Sequence, residues 1–257
     1  MSDQKPVCLV VGAGAGIGGH VGKRFADGGY HVVLCRRSDE DGLNKLVSDI
    51  EQAGGTATGR LVNAVEDHVL EDLVAEVERD IGSIEVVVFN LGAQIGDRSL
   101  ADTSYKAFEQ GWRMATFGLF RIAHAVTPKM EARGRGTILV TSATAAVRGN
   151  AGQHSHAAAV GGRRMLCQSL NAEFGPKNIH VAHIVVDGPV EAPDTLGRLL
   201  GPELFEKLLD EKSRGKDELL LPAHMAETYF HLAHQHRSAW THEIDLRPFT
   251  DQPWWNN

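Results

Sequence analysis

Apolar runs alternate with helix-periodic stretches along almost the whole chain. The runs Val7–Val11, His31–Cys35, Thr58–Val62, Glu85–Asn90, Thr137–Thr141, His180–Val186 and Thr241–Leu246 are rich in Val and Ile, and several are apolar throughout. Strands covered on both faces read that way, because neither face meets water. Between them, Asp39–Ala53, Glu66–Ile81, Tyr105–Arg133, Gly152–Phe174 and Ala223–His236 read as helices. Gly28-Gly29, Gly54-Gly55, Gly82 and Gly175-Pro176 fall at helix ends, where a residue that tolerates positive φ is useful. Strict alternation of strand and helix predicts an α/β fold. It is a doubly wound, parallel seven-stranded sheet with right-handed crossovers and helices on both faces. With no repeat, low-complexity segment or linker, residues 1–257 read as a single domain.

Two segments carry more than periodicity. Gly12-Ala13-Gly14-Ala15-Gly16-Ile17-Gly18 follows the first apolar run without a break and leads into a helix over Val21–Asp27. Strand, glycine turn and helix in that order make a dinucleotide-binding turn of Rossmann type. Its glycines let the backbone approach a pyrophosphate held by amide N–H groups at the helix start. Residues 187–222 are less regular, with a charged helical piece around Glu203–Lys212, and follow the sixth strand. Ligands of such sheets bind outside the carboxyl ends of strands, so this insertion is a candidate substrate lid; a solvated connector is the other reading.

Composition narrows the partners. With 257 residues and 42% hydrophobic content the chain can bury a large core. A net charge of −7 without a dense basic run argues against nucleic acid or an anionic membrane and for a small-molecule partner. No apolar run is long enough to span a bilayer. Cys8, Cys35 and Cys167 are isolated, which argues for a reducing, cytoplasmic setting and against a disulfide framework. His154 with His156, and His231, His234 and His236, lack Cys or acidic neighbours at ligand spacing, so no metal is expected.

The order of motifs resembles the short-chain dehydrogenase/reductase family over essentially the whole chain. Gly12, Gly16 and Gly18 match its glycine turn, with Gly14, Ala15 and Ile17 between them. Asn90-Leu91-Gly92-Ala93 looks like its Asn-Ala-Gly element beside the adenine ribose. Asn63 occupies the place of its adenine-contacting Asp, and Asp187-Gly188-Pro189-Val190 looks like the loop whose next residues reach the nicotinamide amide. The second strand ends in Arg36-Arg37-Ser38 where an acidic residue would accept from the ribose 2′-hydroxyl of NAD. Two guanidinium groups and a hydroxyl suit a 2′-phosphate instead, so NADP(H) is expected over NAD(H).

The family's catalytic half is missing. Ala115 stands at its Asn position, Ala143 at its Ser position, His156 at its Tyr position and Val160 at its Lys position. A tyrosine of ordinary pKa about 10 needs a nearby cation to exchange protons near neutrality, and Val160 supplies none. His156, with an ordinary pKa of about 6.5, could exchange a proton unaided, while Ser142 or Thr144 polarises the substrate oxygen. A ring that merely fills space is the other reading of His156. A slip of two or three places would bring Gly162 or Arg163 to the Lys position.

Three classes of function follow. The first is an NAD(P)-dependent oxidoreductase acting on a carbonyl or alcohol with a non-standard acid/base group. The second is a catalytically silent NADP-binding sensor or partner subunit, and the third a non-redox enzyme on the same fold. The resemblance implies a homodimer or homotetramer built through the long helices and the last strand. The aromatic tail with Trp254-Trp255 must then be covered by its own chain or by another subunit.

Overall fold

Five consecutive apolar residues, Val7–Val11, form β1 in the interior of the sheet, and every one of them is buried. The computed structural model describes residues 4–92 and 99–256. The other strands are β2 (His31–Arg36), β3 (Thr56–Leu61), β4 (Ile84–Phe89), β5 (Gly136–Ala143), β6 (Ile179–Val186) and β7 (Glu243–Leu246). They form one parallel sheet of seven strands in the order β3-β2-β1-β4-β5-β6-β7. The helices are α1 (Ile17–Asp27), α2 (Glu40–Gln52), α3 (Val69–Asp80), α4 (Tyr105–Trp112), α5 (Gly118–Arg133), α6 (His154–Phe174), α7 (Arg198–Leu200), α8 (Pro202–Leu208) and α9 (Pro222–Ala233).

Period-two alternation in the strands divides the core into two layers. Leu9, Val11, Val87, Phe89, Ile138 and Val140 face α3, α5 and α6, where Leu73, Ile122, Val126 and Leu170 meet them. Cys8, Val10, Val88 and Leu139 face α1, α2 and α9 through Phe25, Leu46, Ile50 and Tyr229. All three cysteines are free and buried. The single doubly wound domain expected from the sequence is the fold observed.

Local differences have local causes. The stretch expected as one helix over Tyr105–Arg133 is broken by a wide turn at Arg113–Phe117. There Thr116 Oγ1 donates to the Ala159 carbonyl and the Ala115 carbonyl accepts from Arg163, so contacts with α6 reshape the backbone. The third strand begins at Thr56 rather than Thr58, because its backbone pairs with β2 from His31↔Thr56 onward whatever the side chains. The last strand begins only at Glu243, since Gln235 captures the Thr241 backbone and hydroxyl and Trp240 stacks on His180. Gly175 does not take positive φ; Asn178 does, at +62°, and donates to the Gly134 carbonyl.

Residues 187–222 leave the carboxyl end of β6. Val190 bridges to Leu220, closing the segment at its base. Phe205, Leu209 and Leu219 pack with Leu196, Leu200 and Leu208 into a small core of their own.

Candidate functional site

Sheet order reverses between β1 and β4, so the turns leaving these strands border a crevice. The N–H groups of Gly12 and Ala13 both donate to the Cys35 carbonyl, at 3.0 and 2.9 Å, and bend the chain away from β1. Gly12 has φ +103°, and a Cβ there would lie 2.6 Å from the Asn90 carbonyl oxygen. A Cβ on Gly18 would press still closer on the Gly12 carbonyl. Asn90 Nδ2 donates to that carbonyl at 2.8 Å. Asn90 and the glycine turn, separate motifs in the sequence, are one hydrogen-bonded unit.

Ala15, at the exposed tip of the turn, donates its N–H to Asp194 Oδ2 at 2.8 Å. The same oxygen accepts from Arg36 Nη2 at 2.7 Å, and Arg36 also pairs with Asp39 at 2.8 Å. A carboxylate therefore rests at the amino end of α1, where unpaired amides and the helix dipole favour negative charge. Nothing in the residue spacing ties Asp194 to Ala15; their meeting depends on how residues 187–222 fold back.

Gly14, Gly16, Ile17, Arg37, Ser38, Asn63, Gly92 and Val190 also follow the carboxyl ends of strands, and the parallel sheet gathers them along one edge. Arg37 and Ser38 are exposed, and among the described residues no ion pair engages Arg37. Asn63 donates from Nδ2 to Glu66 at 2.7 Å. Gly92 is exposed, and the Ala93 that completes its motif lies outside the described residues.

Ser142 and Thr144 end β5 and enter a short turn, against which the start of α6 packs. His156, on the first turn of α6, is buried, as is Ser142, whose Oγ has no hydrogen-bond partner among the described residues. Thr144 is half-buried. Ala115 and Val160 meet with Ala145 and Ala159 in a small apolar cluster. The positions where the resemblance implies an Asn and a Lys are thus dry and packed together.

Arg163 lies one turn further along α6, 2% exposed. Its Nη1 donates to the Thr141 carbonyl at 2.6 Å, Nη2 to Leu91 at 2.8 Å and Nε to Ala115 at 3.3 Å. Burial pulls its pKa down to about 10, and among the described residues no carboxylate pairs with it. This guanidinium ties the ends of β4 and β5 to the wide turn before α5. The sequence marked Arg163 only as an alternative at the Lys position, since a role made of backbone carbonyls leaves no motif.

The histidines singled out near the C-terminus have local partners. His231 contacts Gln235, His234 contacts Tyr30 and the Phe230 carbonyl, and His236 contacts Ser238. Among the described residues no three or more His, Cys, Asp or Glu side chains converge as a metal site would need. Of the aromatic tail, Trp254 folds onto its own chain while Phe249 and Trp255 stay exposed. Trp254 Nε1 donates to Asp245 at 3.1 Å, its backbone N–H donates to Asp187 at 3.1 Å, and its carbonyl accepts from Arg148 at 3.0 Å.

Comparison with known proteins bears on these features. The short chain dehydrogenase family model matches residues 6–195. The short-chain reductase protein NovJ of Streptomyces niveus is 32% identical over 200 residues, 77% of this chain and 75% of that protein. A solved short-chain dehydrogenase from Rhodopseudomonas palustris is 32% identical, covers 95% of this chain and 99% of its own, and superposes with a TM-score of 0.79. A 7α-hydroxysteroid dehydrogenase complexed with NADH and 7-oxo glycochenodeoxycholic acid is 25% identical, with a TM-score of 0.80 over 95% of this chain and 93% of its own. A family match over well more than half of the sequence, joined to this sheet order and glycine turn, means that the chain belongs to the short chain dehydrogenase family.

Proposed function

We propose that this protein is an NADP(H)-dependent oxidoreductase acting on a small carbonyl or alcohol substrate with a non-standard acid/base group. The observation that carries the cofactor reading is the carboxylate already seated at the glycine turn. The Ala15 amide and the Arg36 guanidinium hold an anion where a dinucleotide's phosphates would lie, so the residues present fit that group. A relative that holds NADH in its solved structure supports the nicotinamide class.

In this reading the amides of Gly14, Ala15, Gly16 and Ile17 take the diphosphate, while Gly12, Gly18 and Asn90 keep the turn in shape. Arg36, Arg37 and Ser38 receive the 2′-phosphate, and Arg37 is exposed with no carboxylate among the described residues paired to it. Asn63 and Gly92 border the adenosine, and Val190 leads the chain toward the nicotinamide. When bound, the nicotinamide supplies the hydride; the protein orients the substrate and manages its proton. His156 holds that proton, Ser142 or Thr144 donates to the substrate oxygen, and residues 187–222 form the lid. The unpartnered, buried Ser142 Oγ supports its part. Three buried free thiols suit a cytoplasmic setting.

The dry cluster of Ala115, Ala159 and Val160 favours a second reading, a protein that binds the cofactor without turnover. Calorimetric titration followed by a panel of reactive carbonyls separates the two. We expect NADPH to bind more tightly than NADH, and replacing both Arg36 and Arg37 by Ala to cut that preference by about tenfold to a hundredfold. A wild type that prefers NADH would refute the 2′-phosphate assignment. Tight NADPH binding without turnover of any diketone or quinone would establish the silent reading.

A further inference from the structure

We propose that Asp194 is a built-in competitor for the cofactor's phosphates, an acidic latch that residues 187–222 set against the dinucleotide site. The inference rests on the cofactor reading above and adds a gate to it. Asp194 lies in the wide turn Pro193–Gly197 that begins the insertion, and its Oδ2 accepts from Ala15 N–H at 2.8 Å and from Arg36 Nη2 at 2.7 Å. Arg198, one turn on, approaches its other oxygen at 3.6 Å. The backbone closes down with it: a Cβ on Gly14 would lie 3.2 Å from Asp194 Oδ2, and one on Gly16 would lie 2.8 Å from the Ala192 Cβ.

This arrangement forces a choice. The Ala15 amide has one hydrogen, and a carboxylate already accepts it with charge assistance. A diphosphate arriving at that amide meets an occupied donor and a like charge within hydrogen-bond distance. Arg36 is engaged by the same oxygen, so the 2′-phosphate meets the same obstacle at the other end of the adenosine. Binding must therefore lift Asp194 away, and with it the turn that leads into the small Phe205–Leu209–Leu219 core. Because that core is separate from the two main layers, the segment can move as a unit about its base at Val190 and Leu220. Asp194 thereby couples cofactor arrival to the position of the segment that borders the substrate, and it lowers affinity most for the more highly charged dinucleotide.

The test is Asp194→Asn, which keeps the shape and removes the charge. We expect about tenfold tighter NADPH binding by calorimetry, a smaller gain for NADH, and a similar gain for inorganic diphosphate used as a probe of the turn alone. Hydrogen exchange of residues 193–213 should be fast in the free variant and in the NADPH-loaded wild type, and slow in the free wild type. A variant that binds NADPH no better than wild type, or more weakly, overturns the latch while leaving the cofactor reading in place. A wild type and a variant that both ignore NADPH, NADH and diphosphate overturn the cofactor reading, and the latch with it. Binding by the variant alone supports the latch most directly. Asp194→Ala gives a second variant, with unfolding midpoints of both read alongside to separate a gate from a loss of fold.

Discussion

Removing Arg163 would leave three interior carbonyls, those of Leu91, Thr141 and Ala115, without their donor. Each unsatisfied buried acceptor costs roughly 1–3 kcal/mol, so Arg163→Met should lose about 3 kcal/mol or more of stability, read as a lowered urea midpoint at unchanged slope. Arg163→Lys keeps a cation but cannot span three directions, and it should recover only part of the loss. His156 tests chemistry instead of stability. His156→Phe keeps the ring volume and removes the proton, so turnover of a reactive diketone should fall by about 10²-fold while NADPH affinity holds. Unchanged turnover would make the imidazole a spacer.

At the scale of elements, the pairing of β6 with β7 carries a pH dependence. His183, at the centre of β6, contacts Glu243 through Nδ1 at 3.0 Å, and Arg164 from α6 grips that carboxylate at 2.6 and 2.8 Å. Burial pushes the His183 pKa down to about 4, against the opposing pull of Glu243. A base whose folded pKa lies below its unfolded value of about 6.5 takes up its proton first in the unfolded chain. Its stability contribution is therefore full above about pH 6.5 and is lost as pH falls toward about 4. The hydrogen bond from Arg164 holds the Glu243 carboxyl below its usual range, so that pair is lost only as the carboxylate itself protonates. In His183→Gln, unfolding midpoints between about pH 6.5 and about pH 4 should vary less with pH than in wild type. An unchanged slope would show that another group governs the acid limb.

The whole molecule leaves an aromatic face open along α4 and α5. Tyr105 is 97% exposed, and Phe108, Trp112 and Phe120 stay more than two-fifths exposed, with Met165 of α6 also half exposed. Trp112, Phe117 and Phe120 stack in a ladder on this face. So much apolar surface is costly in water unless covered, and a second copy related by two-fold symmetry would cover it. Light scattering at micromolar concentration should report a dimer or tetramer, and Trp112→Glu with Phe120→Glu should shift it toward monomer. A wild-type monomer would remove this assembly.

The order of elements, the parallel sheet and the glycine turn could be read from the chain because each rests on local information. Val7–Val11 is apolar at every position, and Gly12 must turn where no side chain fits. That Ala115, Ala143 and Val160 offer no acid, base or hydrogen-bonding side chain needs no structure either, since residue type alone decides it. Contacts across long separations were not legible. Asp194 meets Ala15 and Arg36 only because the chain after β6 folds back over the sheet's carboxyl edge. Arg163 acts through carbonyls, which every residue has, so its identity in sequence said nothing about its partners. Periodicity records which face of an element is apolar; which charged side chain arrives at a given amide is settled only when distant segments pack.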